Sequence, residues 1–401
     1  MKKEAAELFR IKQYIKMILQ NVILPLIYRC FSGRPVRKGS VIFADAHHET
    51  MPFAMRGMYE TLCGEAVADK EHASKGAVQS DGKKDLAVQD VELFIRDFNK
   101  LSFGAMVKFL LTFMKSYATA EYVFVCDYFL PVASCKKRPE TKLVQLWHSC
   151  GLMKKIAFDA GDDIPKNYKG NMFGNYSYLT LSADICVDVH ARALHLPKER
   201  IFATGVSRTD YYFDEDWNRR CREQFYEAHP EAAGKKIALW APTFRGNAAM
   251  PYLEGLDAVR DAAQQLSDEW FFVIKAHPHI DAHGMVSNCR ISTEELLAVA
   301  DVLITDYSSV LFDYMIYRKT AVLFAPDLKQ YEDKRGFYLD YRSIPYPLVE
   351  ESGKLAEVVD GAIQWCREHK QEQEAFRREY VGACDGHSTE RILELIGLER
   401  K

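Results

Sequence analysis

The sequence predicts an α/β protein built on parallel sheets and divided into two units, and three observations predict it. Apolar runs of strand length recur along the chain, and helix-period segments separate several of them. The third is length: 401 residues exceed what one ordinary hydrophobic core organises. In chain order the strand-like runs are VIFADA (41–46), YVFVCDYF (122–129), KLVQLWH (142–148) and YLTLSAD (178–184). KIALWAPTF (236–244), WFFVIKAHP (270–278), VLITD (302–306) and AVLFAPD (321–327) follow. They are nearly continuous in apolar residues, as strands covered on both faces are. EELLAVA (294–300) and SVLFDYMIY (309–317) carry helical spacing between strands. The polar stretch KEHASKGAVQSDGKK (70–84) is expected to be an exposed loop. A unit boundary is expected at YEAHPEAAGKK (226–236), because a second strand–helix series starts just after it.

Composition narrows the function classes. Hydrophobic residues make up 48% and charged residues 27%, the mixture of a folded globular chain. A net charge of -3 argues against general nucleic-acid binding, which would show a basic footprint. The ten cysteines are scattered, with no CxxC pair and no cluster at zinc spacing. With no cleavable signal peptide recognisable, reduced thiols and a cytoplasmic location are expected. Residues 1–38 depart from the average: nine Lys or Arg against Glu4 and Glu7 give 9 - 2, or +7. The apolar part, Met17 to Tyr28, has 12 residues and is interrupted by Gln20, Asn21 and Pro25. A bilayer span needs about 20. A basic amphipathic segment of this kind can lie on an anionic cytoplasmic leaflet, each cation contributing about 1 kcal/mol. The competing expectation is a core helix with a solvated basic face.

DVLITDYSSVLFDYM (301–315) leaves a buried strand through an acid, a phenol and two hydroxyls and enters a helix at once. Ser308 and Ser309 would stand at the start of that helix, where unpaired N–H groups and the dipole favour a phosphate. Plain N-capping explains one serine equally well. Four other strand ends carry cations or hydroxyls: His148 with Lys154 and Lys155; Thr243, Arg245 and Asn247; Lys275, His277 and His279; and Lys329, Lys334 and Arg335. One strand-end histidine is usually packed, but several such ends in one sheet point to a phosphate-rich ligand. Asp306 has no neighbouring carboxylates, so no metal site is expected, and it fits the orienting of a turn. Cys150 lies beside His148, yet nothing supplies the third group that a Cys–His nucleophile requires.

LWHSCGLMKKIAFD, LWAPTFRGN, IKAHPH, the long block 301–341 and the closing DGHSTERILELI resemble the CDP-glycerol glycerophosphotransferase family, whose members build or prime teichoic acids and similar polymers. The resemblance covers about residues 40 to 398 and begins with VIFADAHHETMPFAMRGMYETL. It implies a GT-B-like pair of Rossmann-like domains facing across a cleft. A basic membrane-surface segment (1–38) would precede an acceptor domain (39–228) and a CDP-polyol donor domain (229–401). It implies attack by an acceptor hydroxyl on the β-phosphorus of CDP-glycerol, with CMP leaving. His148 would be the base, and His277 would serve the diphosphate or the departing CMP. Ser308 and Ser309 would hold the β-phosphate, with Thr243, Lys275 and the clamps Arg245 and Arg335 also binding donor, without metal or cofactor. Tyr307 would pack or stack on cytosine. The implied partners are a lipid-linked glycan acceptor and an anionic membrane surface on the cytoplasmic side. Ser149-Cys150-Gly151 departs from the Gly-Thr-Pro of many members, which leaves CDP-ribitol open as donor. A nucleotide-sugar glycosyltransferase and a silent nucleotide-binding scaffold are the rival readings.

Overall fold

A computed structural model of the chain describes residues 14–64, 78–81, 86–161, 164, 168, 170, 172–247, 250–276 and 286–398. The first sheet consists of β1 (Arg37–Asp45), β2 (Val78–Asp81), β3 (Asp90–Ile95), β4 (Ala120–Val125), β5 (Lys142–Gln145), β6 (Tyr178–Thr180) and β7 (Ile201–Phe202). Its strand order is β2-β3-β1-β4-β5-β6-β7, parallel throughout except for β2 against β3. The next strands in the chain are β8 (Lys236–Trp240), β9 (Arg245–Asn247), β10 (Met250–Tyr252) and β11 (Trp270–Ile274). They are followed by β12 (Val302–Thr305), β13 (Thr320–Phe324) and β14 (Leu348–Val349). The second sheet is parallel in the order β11-β8-β12-β13-β14, and β9 and β10 form a separate hairpin.

Every apolar run named above carries a strand, for the expected reason. Val41, Ile42 and Phe43 of β1, for example, are fully buried although successive residues face opposite sides of the sheet. One correction falls at the stretch expected to be an exposed loop: residues 78–81 pair with β3 as an edge strand. β3 itself, DVELFI, interleaves two acids with its apolar positions. Those acids meet Arg37, at 2.7 Å from Asp90 and 2.5 Å from Glu92. Arg37 and Lys38 therefore belong to β1 and its ion pairs, Lys38 lying 3.2 Å from Glu121.

One hydrophobic cluster runs through both halves, from Leu143 and Leu179 to Leu303 and Leu323. The helix Ser388–Ile396 returns to the first sheet, packing Ile392 and Ile396 with Val41, Phe43 and Val144. Asp210 fixes its start by accepting from Ser388 N at 2.9 Å and Thr389 N at 2.7 Å.

Topology locates the site. In each sheet the chain goes first to one side of a starting strand and then to the other: β3 and β4 flank β1, while β11 and β12 flank β8. Ligands of doubly wound sheets bind outside the carboxyl ends of the strands at such switch points. The residues concerned are Asp45–His48 and Cys126–Asp127 in the first sheet, and Ala241–Thr243 and Asp306–Ser309 in the second.

The N-terminal segment is helical from Tyr14 to Phe31 and widens into a π turn at Leu19–Ile23. Pro25 follows two residues after it and lacks the N–H that would continue the regular ladder. Among the described residues no helix is long and apolar enough to cross a membrane.

Candidate active site

β5 ends in a buried glutamine that shapes the turn beyond it. Gln145 Nε2 donates to the Asp127 carbonyl and the Tyr176 hydroxyl, and its Oε1 accepts from Trp147 N at 3.0 Å. Trp147 is thereby held at φ 59°, a left-handed conformation rarely found for a bulky residue. Its indole is flanked by the rings of His148 and His190, both 5.2 Å away. Burial pushes the His190 pKa down to about 4, so this histidine is a neutral packing group. His148 instead keeps 49% of its side chain exposed, with Nδ1 3.2 Å from the Cys126 carbonyl and 4.0 Å from Asp127 Oδ1. A carbonyl can only accept, so Nδ1 carries the proton and Nε2 is left with its lone pair. That is the tautomer a general base requires.

The residues after His148 join the two halves. The Cys150 thiol donates to Asp313 Oδ1 at 3.4 Å, and Asp313 Oδ2 forms a buried 2.7 Å ion pair with Arg208. Hydrogen bonding with Cys384, together with burial, pushes the Cys150 thiol well up, so it is no nucleophile. Gly151, at φ +65°, presses its α-carbon against the Phe312 ring. Beyond it, Tyr338 N donates to the Met153 carbonyl at 2.8 Å, and Arg335 Nε donates to the Lys155 carbonyl at 3.0 Å.

At the second switch point Asp306 organises the turn. Its Oδ1 accepts from Thr243 N at 2.8 Å and Tyr307 N at 2.6 Å, and its Oδ2 lies 2.9 Å from Arg245 Nη1. Arg245 corrects the sequence expectation of a phosphate clamp. Its guanidinium forks onto Asp327 at 2.7 and 2.9 Å, also donates to the Thr243 carbonyl, and stacks over Tyr307 and Tyr331. Burial opposes the charge on both partners, but their contact outweighs it, holding Asp327 below and Arg245 above their usual pKa values. Such a saturated, buried cation is a structural tie. Tyr307 likewise packs, its ring 3.9 Å from Tyr331 and its hydroxyl on Asp327.

Ser308 Oγ accepts weakly from Val310 N at 3.4 Å. Ser309 precedes the helix Val310–Ile316 without a side-chain capping bond. The Thr243 hydroxyl is buried and has no partner among the described residues. Lys275 points elsewhere, donating to the Cys289 carbonyl at 3.3 Å. His277 and His279 lie outside the described residues.

One group escaped the sequence reading. At the end of β1, Asp45 Oδ2 accepts from His47 N at 2.7 Å, His48 N at 2.8 Å and His48 Nδ1 at 2.9 Å. This bond raises the His48 pKa against the cost of burial, and Asp127 adds to the effect. The available signal was the DAHH sequence that ends an apolar run.

A cavity of about 740 Å³ gathers Asp127, Trp147 and His148 from the first half and Ser309, Arg335 and Tyr338 from the second. The sequence-selected groups His148, Ser309 and Arg335 thus share one chamber. Lys275, Thr243 and Arg245 do not line it, and no cluster of three metal-ligating side chains occurs among the described residues.

Comparison with known proteins agrees with this architecture. The chain is 28% identical to the teichoic acid ribitol-phosphate primase of Bacillus spizizenii, over 96% of its own length and 97% of the relative's. It is 27% identical to the teichoic acid glycerol-phosphate primase of Bacillus subtilis, covering 69% and 73% of the two chains. Against matching ribitol-phosphate polymerases it spans about half of their length (48% and 56%). Structures of the wall teichoic acid polymerase TagF superpose with a TM-score of 0.70 at 19% identity, covering 96% of this chain and 97% of the other. The family model of the CDP-glycerol:poly(glycerophosphate) glycerophosphotransferases matches residues 26–398, and the chain belongs to that family.

Proposed function

We propose that this enzyme transfers glycerol phosphate from CDP-glycerol to a hydroxyl of a lipid-linked acceptor in teichoic acid synthesis. The observation that carries the reading is the shared cavity, which sets an exposed imidazole of the first sheet opposite a free hydroxyl and a cation of the second. The two sheets are taken as Rossmann-like domains of a GT-B arrangement, with the donor on the second. His148 Nε2 accepts the proton of the acceptor hydroxyl as its oxygen bonds to the β-phosphorus. The bond from that phosphorus to the bridging oxygen breaks, and CMP leaves with the electron pair. Ser308, Ser309 and Arg335 hold the transferring phosphate in line. His48, whose pKa Asp45 raises, stands at the carboxyl end of β1 and is proposed to offset charge on the diphosphate, the role given to His277 in the sequence reading. The test is turnover of radiolabelled CDP-glycerol and CDP-ribitol with a lipid-linked disaccharide acceptor. Label from neither donor passing to the acceptor would sink the proposal.

Ribitol phosphate is the second reading, favoured by the near-complete match to a ribitol-phosphate primase. For location we propose peripheral attachment to the cytoplasmic face of the membrane. Ile15, Ile18, Val22 and Leu26 stand exposed on the basic N-terminal helix, and Phe103, Val107 and Leu111 form an exposed stripe on the helix Phe103–Tyr117 that packs beside it. Two adjacent apolar faces bordered by lysines suit an anionic lipid surface.

A further inference from the structure

The N-terminal helix has two working faces. Ile15, Ile18 and Val22 point outward, whereas Lys16, Met17 and Gln20 line the cavity that holds His148. The π turn gives the chain this division: it brings Gln20 inward while Val22 and Ile23 remain outside. Such turns in α-helices often mark functional positions.

Gln20 carries the argument. It is 1% exposed, its Nε2 donates to the Tyr168 hydroxyl at 2.6 Å, and its Oε1 has no partner among the described residues. A buried amide oxygen left without a donor is costly, so a ligand group that donates to it would be held there. One turn earlier, the Lys16 ammonium stands 5.5 Å from the Tyr128 ring centre. The residue as a whole is exposed, yet partial burial lowers the pKa of its amine, and an anion beside such an amine would stabilise its charge. Phe173 and Tyr176 complete an aromatic wall here. Tyr128 follows Asp127, whose carboxylate is 4.0 Å from His148, so this wall leads directly to the proposed base. The groups assigned to the donor, Ser309 and Arg335, come from the other half of the molecule.

We propose that the cavity end under residues 16–20 is the acceptor subsite, in which Lys16 pairs with a phosphate of the acceptor, Gln20 Oε1 accepts from one of its hydroxyls and the aromatic wall faces its sugar or polyol carbons. This deepens the transferase reading and rests on it. The helix that meets the lipid surface then also receives the chain arriving from it.

The probe is a water-soluble, short-prenyl diphosphate disaccharide bearing a terminal glycerol phosphate, which needs no membrane. Lys16→Met keeps the apolar stem and removes the charge. The expected result is an acceptor KM raised about tenfold, the loss of one charge-assisted contact, with kcat and CDP-glycerol affinity unchanged and Lys16→Arg restoring the KM. Calorimetry of the probe without donor should show the same tenfold weakening, a readout that survives even if the enzyme uses neither CDP-polyol. Gln20→Leu, which fills the site without an acceptor oxygen, should weaken the probe as well. Unchanged probe affinity in Lys16→Met would overturn the proposal, as would parallel loss of donor affinity. So would reduced pelleting with anionic vesicles combined with normal probe binding, since Lys16 would then serve the lipid surface alone.

Discussion

Gly151→Ala tests whether the loop behind His148 is what holds the two halves in register. A Cβ at this position would stand 2.3 Å from Cγ and Cδ1 of Phe312, ring atoms of a fully buried side chain that cannot swing away. The backbone adds a second cost, since φ is +65° and an L-residue in that region loses roughly 1–2 kcal/mol. Overpacking against a buried ring typically costs a further ~1–3 kcal/mol. The sum, about 2–5 kcal/mol, corresponds to a fall in Tm of roughly 5–15 °C for folding units of this size. Because Gly151 lies three residues after His148 and touches the helix that Ser309 begins, turnover should fall with stability. Gly161→Ala is the control: no atom lies within 4 Å of its would-be Cβ, and its Tm should not fall. A double-mutant cycle separates the two costs. In a Phe312→Ala background the glycine change should retain only the backbone term, leaving a coupling of about 1–3 kcal/mol. An unchanged Tm in Gly151→Ala, or an equal cost in both backgrounds, would refute the reasoning.

The other expectations are more local. His148→Ala should lower turnover ~100- to 10,000-fold with CDP-glycerol affinity nearly constant, read by single-turnover rates beside calorimetry; normal turnover would remove the base assignment. Ser309 makes no capping bond, so Ser309→Ala should leave the stability within about 0.5 kcal/mol of wild type while weakening donor binding; unaltered affinity would leave it a surface hydroxyl. Asp45 raises the His48 pKa, so the pair's contribution to stability is complete below the unfolded value near 6.5 and is lost as pH rises through the higher folded value. The Tm of wild type should decline across that window relative to His48→Gln, and parallel pH profiles would contradict the assignment. Ile15, Ile18 and Val22 changed together to Ser should release the protein from anionic vesicles without altering its melting curve; undiminished pelleting would argue against attachment through this helix.

How far the sequence could be read follows from which interactions it encodes locally. Buried parallel strands leave a mark in any window of five residues, which is why β1, β4, β8 and β12 were legible. β3 was not, because Asp90 and Glu92 look like solvent residues until Arg37, more than fifty positions away, is seen between them. The edge strand β2 was lost in a polar stretch for the same reason: among the described residues its partner is β3 alone. Cations at strand ends were legible as a group but could not be sorted. Arg245 and Arg335 both follow strands in the sequence. Only the fold shows that Asp306 and Asp327 use up the first, whereas the second lines the cavity.

The same distinction explains the Ser149-Cys150-Gly151 departure. Read along the chain, these residues border the proposed base and bear on acceptor and polyol identity. In the fold, the Cys150 thiol reaches Asp313 of the second half, which is already paired with Arg208, and Gly151 lies against Phe312. Removing one partner of such a buried pair costs roughly 3–5 kcal/mol, because the remaining charge has no solvent. The pair thus disfavours separation of the halves at this point, and a small, weakly polar thiol can sit against it without competing for the carboxylate. Glycine is required next, since any side chain at position 151 would meet Phe312. The composition of this loop therefore answers to the seam between the sheets. Donor and acceptor preference must be sought in side chains that line the cavity, of which Ser149 is the one member of the triplet not buried or pressed against Phe312.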